Sequence, residues 1–239
     1  MRKINFDFLL VKSQNLSCPQ TRNLKLWLSE NIHAVCLLAK KILLVEPLST
    51  NTYVILKGQY LDLALIDQTF KSYDKKNIIQ PGKAKLRLPN EDKFDDYIAV
   101  WVDYFNKKLN LKFKLDPDMV KALIASESTF KSEAINKNAT GLTQITTDTL
   151  KILQDLNGES KDFVFKDIRK KDLKDANVSI AMGTRWLAYK KQYAERILKR
   201  EATPDEVIQV YKGILNDKSD IAKRIMKDYR GFYEKLKKK

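Results

Sequence analysis

Apolar residues recur at helical spacing over most of the chain after residue 91. Phe94, Tyr97, Ile98, Trp101, Val102, Phe105 and Leu109 make one apolar and aromatic stripe, which predicts a core-facing helix. A second helix is predicted from Asp116. Its side chain can cap the start, Pro117 suits the first helical position, and Val120, Leu123 and Ile124 share a face. Glu127 lies on that same face and Phe130 continues it. Thr146 or Thr147 can cap a helix through Leu150, Leu153 and Leu156, which Asn157-Gly158 stops. Residues 159–174 are charged and loop-like, with Phe163, Phe165 and Ile168 as anchors. A helix starting near Asp175 carries Ile180, Met182, Trp186 and Leu187. Gly183 inside it costs about 1 kcal/mol against Ala, so a close helix contact is expected there. Thr203-Pro204-Asp205-Glu206 reads as a capping box that opens a short helix through Val207, Ile208, Val210 and Tyr211. A last helix, from about Asp220, is expected to turn Ile221, Ile225, Tyr229, Phe232 and Leu236 inward.

The first ninety residues read differently. A strand is plausible over residues 2–12, and a helix over 24–44 ends at Pro47. Tyr53–Leu56 and Tyr60–Ile66 read as two strands joined around Lys57-Gly58-Gln59. The remainder, to Asn90, is polar and broken by Pro81-Gly82 and Pro89-Asn90. The pattern therefore predicts a small α+β region over 1–90 and a mainly α domain over 91–239.

Composition narrows the function. A hydrophobic content of 44% in 239 residues supports a sizeable core and argues against wholesale disorder. No apolar run is long enough to span a membrane, and Asn5, Asp7 and Lys12 interrupt the only stretch resembling a signal peptide. His33 is the only histidine, which excludes a His-based triad or a multi-histidine metal site. Cys18 and Cys36 can form at most one bridge, and nothing beside them has metal-ligand spacing. No cofactor and no metal are expected. The net charge of +15 is spread over both regions. It favours polyanions in general, among them wall polymers, anionic lipid and nucleic acid, or is simply a solvated surface.

Glu127 is the candidate for chemistry. A carboxylate ending an apolar stripe is an odd choice for a core, because burial disfavours its charged form. A protonated carboxylic acid is what a general acid needs. The plain alternative is a surface residue paired with Lys131, one turn on. Beyond the helix, Gly141-Leu142-Thr143-Gln144-Ile145 offers a glycine where the backbone can approach something closely. Gln144 in that run has both a donor and an acceptor, as sugar binding requires.

Together these stretches resemble a known family. Glu127-Ser128-Thr129-Phe130 is similar to the E-S-x-F motif of the soluble lytic transglycosylases, which share the goose-type lysozyme fold. Gly141-Leu142-Thr143-Gln144-Ile145 resembles their G-L-M-Q-I, in order and at matching spacing, with Thr143 in place of Met. Asn177 followed by Gly183 resembles their N-I-x-x-G. Val210-Tyr211-Lys212-Gly213 resembles their A-Y-N-x-G, with Lys212 in place of Asn. The resemblance covers residues 91–239 and nothing before them.

It implies a lysozyme-like helical domain that cleaves the bond between N-acetylmuramic acid and N-acetylglucosamine. Glu127 would be the single acid and base, leaving an anhydro sugar without water. Ordinary glycosidases pair two carboxylates, and Glu133 and Asp148 are the nearest candidates for a second. Substrate contacts would come from Ser128, Gly141, Thr143, Gln144 and Tyr211. Ser128 could equally bond its own backbone, and Tyr211 could be an ordinary core aromatic. Partners would be peptidoglycan glycan strands, with a secretion machine or phage protein as an expected partner of residues 1–90. Nucleic acid is not expected. The chain would act in the periplasm or wall after a non-standard export. Two rivals stay open: a hydrolytic lysozyme of the same fold, and a non-catalytic basic adaptor binding wall or nucleic acid.

Overall fold

A computed structural model of the chain describes residues 60–238 except Ala84. The strand expected over 2–12, the helix over 24–44, the strand over 53–56, both cysteines and His33 lie outside the described residues. The compact unit that contains the described residues runs from Gln59 to Lys239. It begins well before the boundary expected near residue 90.

The described residues are mainly helical. They hold seven α-helices: α1 (Leu63–Ser72), α2 (Asp95–Lys108), α3 (Pro117–Ser128), α4 (Thr147–Gln154), α5 (Ala176–Leu198), α6 (Pro204–Tyr211) and α7 (Asp220–Lys237). Five two-residue strands accompany them: β1 (Tyr60–Leu61), β2 (Ile135–Asn136), β3 (Ala139–Thr140), β4 (Ile145–Thr146) and β5 (Val164–Phe165). A 3-10 turn at Lys170–Lys174 leads into α5.

Caps set most of the helix starts. Asp116 accepts from the Asp118 N–H ahead of Pro117, and Thr146 accepts from the Thr149 N–H. Asp175 accepts from the Val178 N–H, and Thr203 and Glu206 close a capping box on α6. Arg200 grips the same Glu206 carboxylate through both of its terminal nitrogens, at 2.9 and 2.7 Å. That contact holds the Glu206 carboxyl down at about 2. The anchoring matters because α6 carries Tyr211.

One expected strand is a helix. After β1 the chain turns helical at Leu63, because Asp62 caps the start by accepting from the Leu65 N–H at 2.8 Å. The helix then buries Ile66. β1 forms no hairpin within the described residues. It runs parallel to β5, with Tyr60 opposite Val164 and Leu61 opposite Phe165. The stretch after α3, read as a loop, folds into an antiparallel ribbon in the order β2-β3-β4.

The core forms where α2, α3 and α5 meet. Ile98, Trp101, Phe105, Val120, Leu123, Ile124, Ile180 and Leu187 are fully buried there. Trp101 Nε1 donates to Asn177 Oδ1 at 2.7 Å, which ties α2 to α5. α7 lies along α3 and fastens its N-terminus. Tyr233 and Lys237 both donate to Asp116 Oδ2, at 2.9 and 2.8 Å. The inward face of α7 is Ala222, Met226, Tyr229 and Leu236. Ile221 and Ile225, expected inside, are exposed. They lie about 100° round the helix from Ala222 and Met226, which take the inward positions.

Candidate active site

Glu127 sits in the last turn of α3. Its side chain is 19% exposed and accepts from Lys212 Nζ in a direct ion pair. Lys131 is not its partner. The carboxylate therefore faces an ammonium, where the sequence led us to expect apolar walls alone. It also lies at the carbonyl end of its helix, where a negative charge is unfavourable. The ammonium offsets that field.

The backbone turns sharply just beyond. Thr129 and Phe130 both adopt the left-handed region, at φ 49° and 60°. For a β-branched and an aromatic residue this is strained. The strain is held in place because Thr129 N–H caps the Ala125 carbonyl and Phe130 is buried in the core. Strain of this kind collects at functional sites.

Tyr211 approaches from α6. Its hydroxyl donates to the Thr143 carbonyl at 2.7 Å, so it clips the end of α6 to the Gly141–Ile145 loop. Burial, with the charge of Glu127 second, drives its pKa far above the ordinary value. Tyr211 thus stays a proton-bearing hydroxyl beside the carboxylate. The structure brings Glu127, Tyr211 and Lys212 together, with the loop clipped behind them.

The other residues expected to touch substrate turn inward. Ser128 is buried, and its hydroxyl donates to the Ile124 carbonyl at 3.1 Å. Thr143 is fully buried, and its hydroxyl donates to the Ser179 carbonyl at 2.9 Å. It packs against Gly183, where an added Cβ would stand 2.4 Å from the Thr143 side chain. The close helix contact expected at Gly183 is therefore present, and Thr143 is the residue that makes it. Gln144 Nε2 donates to the carbonyls of Ala134 and Gly141, at 3.1 and 2.8 Å. Its Oε1 is buried without a partner. At Gly141, φ is +86°, and a Cβ would stand 2.1 Å from the Leu173 carbonyl oxygen. The close approach at this glycine is to the chain's own backbone. These four residues shape and brace the loop because its buried polar groups must find partners.

Neither candidate for a second carboxylate stands in an enclosed position. Glu133 is exposed, and the Asp148 side chain is 86% exposed and paired with Lys151. Among the described residues, no three His, Cys, Asp or Glu side chains converge as a metal site, and no helix is long and apolar enough to cross a membrane.

Two partners of this site escaped the sequence reading. Lys212 stood out only as a departure from the motif, with nothing to say that it reaches Glu127. Ser179 lies one turn before Gly183, and two small residues on one helix face are the trace of a close neighbour.

Residues 103–212 match the family described as transglycosylase SLT domain. That stretch, just under half of the chain, is similar to the SLT domain. No curated protein matches the chain. The SLT match spans Glu127, the loop, Asn177, Gly183, Tyr211 and Lys212. The family is one of lytic transglycosylase-type activity on peptidoglycan, and the helical architecture agrees with its lysozyme-like fold.

Proposed function

We propose that this chain is a peptidoglycan lytic transglycosylase with Glu127 as its only acid and base. One observation supports the reading above all: the SLT segment holds a half-enclosed carboxylate beside Tyr211 and Lys212, while Glu133 and Asp148 face solvent. Protonated Glu127 gives its proton to the oxygen between N-acetylmuramic acid and N-acetylglucosamine, and that bond breaks. The resulting carboxylate then takes the proton of the muramoyl six-hydroxyl. The freed oxygen closes on the anomeric carbon, and Glu127 ends protonated as it began. One carboxyl group suffices because no water has to be activated. Two would be needed in an ordinary hydrolytic pair.

The substrate is then the glycan strand of the wall, reached outside the cytoplasm. Residues 1–90 would serve a secretion machine or phage partner. A tagged chain found only in the cytosol under all conditions would count against this substrate.

The test is digestion of purified wall. Wild-type protein should release fragments with anhydro ends by mass spectrometry, and Glu127→Gln should release almost none. Reducing ends would instead identify a hydrolase. Unchanged wall clearance by Glu127→Gln would remove this residue from the chemistry.

A further inference from the structure

Resting on the transglycosylase reading, we propose that Lys212 makes the enzyme selective for muramoyl units whose lactyl carboxylate is free. It does so as a displaceable counterion of Glu127.

The geometry carries this in three steps. First, Lys212 Nζ donates to Glu127 Oε1, with the two side chains only 10% and 19% exposed. A carboxylate occupied by an ammonium presents no proton to a sugar bridge, so the pair must open before the acid step. Second, the lysine can leave only by moving its side chain. Its backbone N–H is bonded to the Ile208 and Val210 carbonyls at the end of α6. Space lies next to it, since a Cβ on Gly213 would meet nothing within 4 Å. Third, a ligand seated over the opened pair keeps water from the ammonium, and a neutral one would leave it there without a counterion, which is strongly unfavourable. Tyr211 cannot take over as counterion, because its hydroxyl, which donates to the Thr143 carbonyl, is uncharged. A ligand that brings its own anion removes the penalty.

The sugar rings of a wall strand are neutral. Each muramoyl unit carries one carboxyl, on the lactyl group of the same ring whose anomeric carbon reacts. In peptide-bearing strands that carboxyl is tied up as an amide. In peptide-free strands it is an anion, and it can accept from Lys212 while Glu127 takes up its proton. The reaction that supplies this substrate is therefore hydrolysis of the amide between the lactyl group and the stem peptide.

The test uses the full chain and two forms of one peptide-free strand, with the lactyl carboxyl free or capped as its methylamide. Wild type should show at least a tenfold higher kcat/KM for the free acid, measured by release of anhydro-ended fragments. Lys212→Gln should bring the two within twofold, and Lys212→Arg should keep the preference. Each ratio compares two substrates on one protein, so partial misfolding lowers both rates alike. In a second measurement, Glu127→Gln, which leaves Lys212 unpaired, should bind the free acid more tightly than the capped strand. Equal wild-type rates on the two strands, or a preference that survives Lys212→Gln, would overturn the role of Lys212 alone. A wild type that cleaves neither strand but releases anhydro ends from purified wall would also overturn only the role of Lys212, and one that digests neither the strands nor the wall would overturn the transglycosylase reading with it.

Discussion

Helix α3 carries two inward-facing charges, and the fold treats them in opposite ways. Lys121 is wholly buried and donates to the Gly82 carbonyl, Asp92 Oδ1 and Asp95 Oδ2, at 3.0, 2.6 and 3.0 Å. Its three ammonium hydrogens are all used. Two turns on, Glu127 has Lys212 as its one hydrogen-bonded partner among the described residues and keeps a side open to solvent. The first arrangement clasps residues 82–95 to the helix and leaves nothing free to react. The second leaves a carboxylate under-satisfied, next to strained backbone. A buried charge with a full set of partners is a fastener. A charge with one partner and an opening is available for chemistry.

The sharpest way to break this contrast is to neutralise each charge in turn. Glu127→Gln should cut the release of wall fragments by about 10²-fold or more, the scale of a lost general acid, and should lower Tm by less than Lys121→Met does, since Lys212 loses its counterion at a site still open to solvent on one side. Lys121→Met should do the reverse. It strands Asp95 and should lower stability by about 3–5 kcal/mol in calorimetry, with activity per folded molecule retained. A large loss of activity per folded molecule in Lys121→Met would erase the distinction.

Smaller changes sharpen it. Gly183→Ala forces a Cβ against Thr143 and should destabilise by about 1–3 kcal/mol. Because the Thr143 carbonyl holds Tyr211, this change should also slow wall cleavage. Asp95 gives the mildest readout. Burial lifts its pKa from 3.8 to about 6, against the pull of Lys121. The folded chain then binds a proton over that interval that the unfolded chain has released. This contribution to stability is complete below 3.8 and is lost as the pH rises to about 6. Denaturant melts of Asp95→Asn should show a flatter pH dependence across that window than wild type.

What could be read in the sequence was what is decided locally. Asp116, Thr146, Asp175 and Thr203 each cap the helix that follows within a few residues. The stripe of α2 needs no partner to be recognised. The same local logic would have found α1 had Asp62 been weighed as a cap, in place of the apolar alternation after it. Pairings between distant segments left no such trace. The β1–β5 ladder and the Lys212–Glu127 contact join residues that only the folded chain brings together. In the site, Glu127 and Tyr211 were legible through their motifs. Ser128, Thr143 and Gln144 turn inward for a common reason. Polar residues in a motif look available for a ligand, yet a tight turn consumes polar atoms to satisfy its own backbone.

The short parallel pairing of Tyr60–Leu61 with Val164–Phe165 sets a limit on how the chain can be cut. The stretch of family likeness begins at 103, but the compact unit that holds it begins at 59. A fragment spanning only 103–212 would lose the strand at 60–61, the indole of Trp101 that holds Asn177, and the whole of the last helix. It would expose an unpaired edge and the apolar side of α3, and aggregation is the expected fate of such a piece. The stretch of family likeness and the compact unit that holds it have different ends.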